Sequence, residues 1–104
     1  MLFSGSQVNE VALSDSAANY DRILIRYKDS DGRVCPAIIA KNGESFSFVS
    51  IVNTQVGTYI KEQRNTLTGN KITRTGAWQR TLMSGTAESG LYFYVVEVVG
   101  YKRP

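Results

Sequence analysis

Residues 91–102, LYFYVVEVVGYK, form the longest apolar run of the chain and lie almost at its C-terminal end. The run is rich in valine and in aromatic residues, whose side chains fit the pleated surface of a sheet better than a helix. Successive side chains of a strand point to opposite faces, and both faces of this strand would be mainly apolar. A strand with one face in water does not need apolar residues on that face, so we predict a central strand that is covered on both sides.

Regular alternation divides this strand into two predicted faces. The face suited to the core of the domain holds Leu91, Phe93, Val95, Glu97 and Val99. The opposite face is the predicted subunit interface, made of Tyr92, Tyr94, Val96 and Val98. A buried carboxylate needs a partner, and Arg22 or Arg26 of a neighbouring strand is the predicted partner of Glu97. The reverse assignment, with Glu97 at the interface and the tyrosines inside, stays open.

The composition predicts a single domain over residues 1–104. A length of 104 residues is enough for one compact domain and too short for two ordinary ones. The hydrophobic fraction of 42% and the charged fraction of 20% are typical of a folded chain. The net charge of +3 comes from scattered Lys and Arg residues, and no apolar run approaches the ~20 residues of a membrane span. We therefore expect neither a nucleic-acid partner nor insertion into a membrane.

A second strand is predicted over residues 20–28, YDRILIRYK. Its alternation places Ile23, Ile25 and Tyr27 on a core face. The other face alternates arginine with Leu24, which suits either a solvated surface or a subunit or ligand face, where arginine is favoured.

The rest of the chain is predicted to be short strands joined by turns, with a strand over residues 8–13 and a glycine-bounded loop over residues 84–90. Asp-Gly and Asn-Gly pairs mark two hairpin turns. The strand over residues 33–40 contains Pro36, which cannot donate a ladder hydrogen bond, so this strand is predicted to lie at an edge or to be locally bulged. Residues 58–67 and 71–75 read as two polar arms joined by a tight turn at Gly69, with a helix over the first arm as the alternative. This spacing of strands predicts an all-β fold, a small antiparallel β-sandwich.

No catalytic, metal or cofactor site is predicted. The chain contains no histidine and a single cysteine, Cys35, so the usual base of a serine or cysteine nucleophile is missing and metal ligands are too few. Cys35 lies in an apolar stretch and is interpreted as a structural thiol. Most carboxylates fall in turns or on polar strand faces, so we expect a non-enzymatic protein with no cofactor.

Aromatic residues beside polar ones are the candidate binding groups. Apolar ring faces next to amide and guanidinium donors suit sugar rings, which present C–H faces and hydroxyl edges. The predicted receptor-binding residues are Tyr59, Arg64, Trp78 and Arg80. A core position is the alternative for Trp78.

Short motifs at both ends of the chain resemble motifs of a known group of proteins. The opening LFSGS of residues 2–6, the NYD of residues 19–21 and the VGYK of residues 99–102 resemble motifs of distal domains in bacteriophage tail-fibre and related host-recognition proteins. Phe3 stands where tryptophan is more usual in that family. The resemblance does not extend to residues 53–90.

The resemblance implies the distal tip of a longer fibre protein in the virion, assembled as a homotrimer. Its implied partners are a polysaccharide or protein of the host cell surface and other virion tail proteins. Binding sites in such proteins lie in variable loops, which points to residues 58–90. Two alternatives remain: a virion connector, capsid-decoration or assembly domain, and a fragment of a polysaccharide-degrading tailspike.

Overall fold

The computed structural model describes residues 1–7, 10–29, 32, 34–54, 57–81, 87–89 and 93–102. The described residues form nine strands and one 3₁₀ helix. The strands are β1 (Phe3–Gln7), β2 (Val11–Ala12), β3 (Arg22–Asp29), β4 (Ile38–Ala40), β5 (Ser45–Thr54), β6 (Gly57–Thr68), β7 (Lys71–Thr81), β8 (Ala87–Ser89) and β9 (Phe93–Tyr101), and the helix spans Ala17–Asn19.

The strands form two antiparallel sheets. The four-stranded sheet has the order β1-β9-β3-β4, and the five-stranded sheet has the order β2-β7-β6-β5 with β8 paired to β7. The all-β prediction is confirmed, and so is the interior position of β9. Of the strand predicted over residues 33–40, only β4 is a strand among the described residues, and it lies at the edge of its sheet, which is one of the two positions predicted for it. The two polar arms are β6 and β7, and Gly69 takes the positive φ of +59° that their tight turn requires.

One apolar core lies between the two sheets. The four-stranded sheet contributes the predicted core face of β3 together with Phe93, Val95 and Val98 of β9, all of them buried. Phe48 of β5 and Leu67 of β6 approach from the other sheet and are fully buried. Side chains from both sheets therefore fill the same interior, as in a β-sandwich.

A β-bulge in β9 overturns part of the predicted division of faces. Arg26 of β3 pairs with Glu97, whereas the next residue, Tyr27, pairs with Val95, so Val96 is an extra residue without a cross-strand partner. The bulge reverses the alternation after Val96. Val98 points into the core and is fully buried, so its prediction as a subunit-interface residue is wrong.

The same bulge explains the position of the Glu97 side chain. Its side chain lies on the outer side of the sheet and accepts a hydrogen bond from Arg26 Nε, with 3.2 Å between Nε and Oε1. The predicted pairing with Arg26 is confirmed, but the predicted core position of Glu97 is wrong. Of the other interface residues, Tyr94 and Val96 are half-buried, and Tyr92 lies outside the described residues.

Two smaller predictions also need correction. The strand predicted over residues 8–13 is only the two-residue strand β2 in the described part, and the earlier strand β1 was not predicted. The loop predicted over residues 84–90 contains the short strand β8. Short strands carry little periodicity, so neither could be recognised from the alternation of side chains.

Candidate ligand-binding face

The outer face of the five-stranded sheet, which points away from the core, carries a cluster that we call the platform. It is built by Ile60, Glu62 and Arg64 on β6 and by Gly76 and Trp78 on β7. The register places Glu62 directly opposite Trp78 and Arg64 directly opposite Gly76. Alternate residues of a strand share one face, so these five positions are neighbours on one surface.

Because residue 76 is a glycine, the Trp78 ring can pack against the backbone of β7 at that position. A Cβ at Gly76 would come within 3.1 Å of Cζ3 and 3.8 Å of Cε3 of the indole. The first of these distances is too short for an ordinary contact between carbon atoms. The absence of a side chain at Gly76 therefore sets the tilt of the ring.

Arg64 joins the ring to a carboxylate. Its guanidinium carbon lies 4.9 Å from the ring centre of Trp78, a cation–π distance. Arg64 Nε also donates a hydrogen bond to Glu62 Oε1 at 3.2 Å. The platform thus combines an aromatic surface, several N–H donors and a carboxylate acceptor within one shallow depression of about 290 Å³.

Apolar side chains border the platform on the β5 side. Val49 pairs with Glu62 and Ile51 pairs with Ile60, and both are exposed, at 43% and 61%. Exposed apolar groups that extend such a surface are typical of a site that meets a ligand or a partner.

Two of the four predicted binding residues, Arg64 and Trp78, meet on the platform. Arg80 pairs with Ile60 in the backbone register, but its side chain lies outside the described part of the chain. Tyr59 belongs by alternation to the inner side of β6 and is half-buried there, so it does not share a face with Trp78. The prediction that Tyr59 joins the same surface is wrong.

Sequence reasoning missed Glu62, Ile60 and Gly76. Glu62 and Ile60 alternate with Arg64, which is a signal available in the sequence once β6 is known to be a strand. Gly76 carries no such signal, because its role depends on the ring two residues further along the same strand.

The inner side of β6 is polar as well, in line with the polar arm predicted over residues 58–67. Lys61, Gln63 and Asn65 are all at most 5% exposed. Gln63 Nε2 donates to Asn65 Oδ1 at 2.8 Å, and Asn65 Nδ2 donates to the backbone oxygen of Gln63 at 3.2 Å. Gln63 Oε1 has no hydrogen-bond partner in the described structure. This side of β6 is therefore held in place by amide hydrogen bonds as well as by apolar contact.

The outer face of the four-stranded sheet carries a second, more apolar depression. Arg22, Leu24, Ile39 and Tyr101 line about 420 Å³. Ile39 and Tyr101 are 63% and 51% exposed. Leu24 links β4 to β9, because it pairs with Ile39 on one side and with Val99 on the other.

The described residues do not form a metal site, and Cys35 is poorly suited to act as a nucleophile. No group of three or more His, Cys, Asp or Glu side chains lies close enough to hold a metal ion in the described parts of the chain. Burial raises the pKa of the Cys35 thiol, and the charge of Asp29 raises it further. A raised pKa lowers the fraction of reactive thiolate.

No helix within the described ranges is long and apolar enough to cross a membrane. Comparisons of the chain with models of protein families, with curated proteins and with solved structures find no match.

Proposed function

We propose that this protein is a non-enzymatic recognition domain that binds a glycan on the platform, in the role of a phage tail-fibre domain attached to a bacterial surface polysaccharide. The platform carries this proposal, because it holds a tryptophan ring, a guanidinium and a carboxylate side by side on an open sheet face. The bacteriophage setting and the location in the virion rest on the motifs at the two ends of the chain.

The chemistry of the platform matches a pyranose ring. The C–H face of a sugar packs against the indole of Trp78, while its hydroxyls donate to Glu62 and accept from Arg64. The Arg64 side chain is 65% exposed, so shifting it away from the ring to admit a sugar costs little. Because Glu62 balances the charge of Arg64, the platform favours neutral sugars over acidic ones.

Replacing Trp78 by alanine is expected to weaken glycan binding at least about tenfold, since a central aromatic residue carries much of the energy of an interface. Trp78 is the single tryptophan of the chain, so its fluorescence reports directly on the platform. An array of bacterial surface polysaccharides identifies a ligand, and titration of that ligand then measures the affinity from the emission of Trp78. The variant is measured on the same array by surface plasmon resonance.

Gly76→Ala provides a matched variant that keeps the tryptophan but tilts its ring. It should weaken binding and shift the emission maximum, whereas Thr66→Ala, further along the same strand as Arg64, should leave both unchanged. The proposal fails if no polysaccharide on the array retains the protein, or if Trp78→Ala binds as well as the parent chain.

The proposed homotrimer would use the outer face of the four-stranded sheet. Leu24, Ile39 and Tyr101 form an apolar surface there, and Tyr94 of the predicted interface lies on the same side of the sheet, opposite Lys28. A domain of this size gains stability when it covers such a face. Sedimentation at micromolar concentration should give a mass that is a multiple of three chains, and Leu24→Asp should reduce it. A monomeric parent chain would contradict the trimer without touching the glycan proposal.

A further inference from the structure

The edge strand β5 differs from the other edges of the two sheets. Among the described strands, β2, β4 and β8 have only two or three residues each, and β1 is interrupted by a bulge between Ser4 and Gln7. β5 has ten residues, SFSFVSIVNT, with neither a charged residue nor a proline. Proteins normally protect an exposed edge strand with charges, prolines, bulges or short length, and β5 uses none of these devices.

The free edge of β5 can be located from its hydrogen bonds. Leu67 donates to Glu44 O and accepts from Gly43 N, so the peptide groups of odd-numbered β6 residues point towards β5. Antiparallel pairs alternate, so the groups of odd-numbered β5 residues point away from β6. The N–H of Val49 agrees, since it donates to the Tyr27 hydroxyl at 3.4 Å instead of to β6.

Ile51 is the next residue with its peptide groups on that free edge. Its side chain lies on the outer face and is 61% exposed. It therefore offers an N–H and a C=O without a partner among the described residues, together with a large apolar side chain, and a further strand would cover both features.

We infer that β5 is an interaction surface at which a second copy of this chain adds its own β5 in antiparallel pairing, with Ile51 at the twofold axis. A second copy suits this edge because an uncharged strand does not repel itself, and because a twofold contact requires the same patch on both chains. In this register, Ile51 covers its counterpart on the outer face.

The pairing has a consequence for recognition. The twofold axis of two antiparallel edge strands is perpendicular to the sheet, so the outer faces of both copies point the same way. Each pair of chains thus presents two platforms on one continuous surface. Weak sites linked in this way bind a repeating polymer much more tightly than one site alone, because the second contact becomes intramolecular.

Cross-linking tests the pairing. Residues at a hydrogen-bonded antiparallel pair have Cα atoms about 5.5 Å apart, within the roughly 4.4–6.8 Å of a disulfide. In a Cys35→Ser background, Ile51→Cys should therefore form a covalent dimer in glutathione buffer at least about tenfold faster than Val34→Cys. Val34 is 78% exposed beside β3 and serves as the matched control. Equal rates for the two variants would overturn the inference.

A charge at the same position provides the second readout. Ile51→Lys should halve the mass measured by sedimentation in the otherwise unmodified chain, whereas Val34→Lys, which adds the same charge in place of a similar apolar side chain, should leave it unchanged. A mass that Ile51→Lys leaves unchanged would contradict the β5 contact. Trp78→Ala should weaken glycan binding while leaving the cross-linking rate of Ile51→Cys unchanged, so the failure of this inference and the failure of the proposed function are distinguishable.

Discussion

Replacement of Phe48 by alanine is expected to lower the free energy of unfolding by about 3–5 kcal/mol, the usual cost of deleting a buried phenylalanine. Phe48 is fully buried. Its ring stacks on Tyr27 with 4.0 Å between the ring centres and lies 5.9 Å from Phe93. Phe48 comes from the five-stranded sheet and its two aromatic partners from the four-stranded sheet, so the substitution opens a cavity where the two sheets meet.

Phe46→Ala is the matched control. Phe46 lies on the same side of β5 two residues earlier and is only half-buried, with its ring centre 5.6 Å from that of Phe48. Urea denaturation followed by circular dichroism should show a clearly smaller loss for Phe46→Ala. Equal losses for the two variants would mean that Phe48 does not join the sheets as its contacts indicate.

Alternation on β3 shows what the sequence could predict. Ile23, Ile25 and Tyr27 are buried as expected, because the extra residue of the bulge lies in β9 and the alternation of β3 itself is unbroken. Turn chemistry was equally informative, since Gly69 and Gly43 have the positive φ values that tight turns require. Such signals come from neighbouring residues, so they do not depend on how the rest of the chain folds.

The bulge that turns Val98 into the core and Glu97 to the outer face of β9 could not be predicted in the same way. A bulge is a property of two strands, and it appears here as a register shift between Arg26 and Tyr27 on the partner strand. The one trace of it in the sequence was Glu97, a charge on a face that was otherwise apolar. A single misplaced charge in an apolar strand is thus better interpreted as a possible change of register than as a buried ion pair.

Half of the candidate site followed from residue chemistry alone. Arg64 and Trp78 carry groups suited to sugars, and the register of β6 and β7 brings them together. Tyr59 carries an equally suitable ring but lies on the other side of the strand. Residue type could not separate these cases, since the inner side of β6 is as polar as its outer side and gives no sign of which one faces the core.

Gly100→Ala is expected to destabilise the protein by about 1–3 kcal/mol, the range for overfilling a tightly packed site. A Cβ at Gly100 would lie 2.6 Å from Cε1 and 2.7 Å from Cγ of Tyr20, well inside contact distance. Thermal and urea denaturation measure the loss. A variant as stable as the parent chain would mean that the Tyr20 ring moves aside freely.

The surroundings of Tyr20 argue against such movement. Its hydroxyl donates to Asp15 Oδ2 at 3.0 Å, and Lys102 Nζ lies 5.3 Å from the ring centre. Hydrogen bonds from Asn19, Ser16 and Tyr20 hold the pKa of Asp15 below its usual value, so the carboxylate stays charged as an acceptor for the hydroxyl. The ring is thus fixed at its polar end while Gly100 limits it along one side.

A double-mutant cycle separates this clash from any general effect of alanine on β9. If the Tyr20 ring is the cause, Gly100→Ala should cost little once Tyr20→Ala has removed the ring. The stability lost by the double variant should then be smaller than the sum of the two single losses by about 0.5–3 kcal/mol, as is typical of residues in contact. Strict additivity would instead place the cost in the backbone of β9. We do not expect this result, because alanine is normally tolerated better than glycine inside a strand.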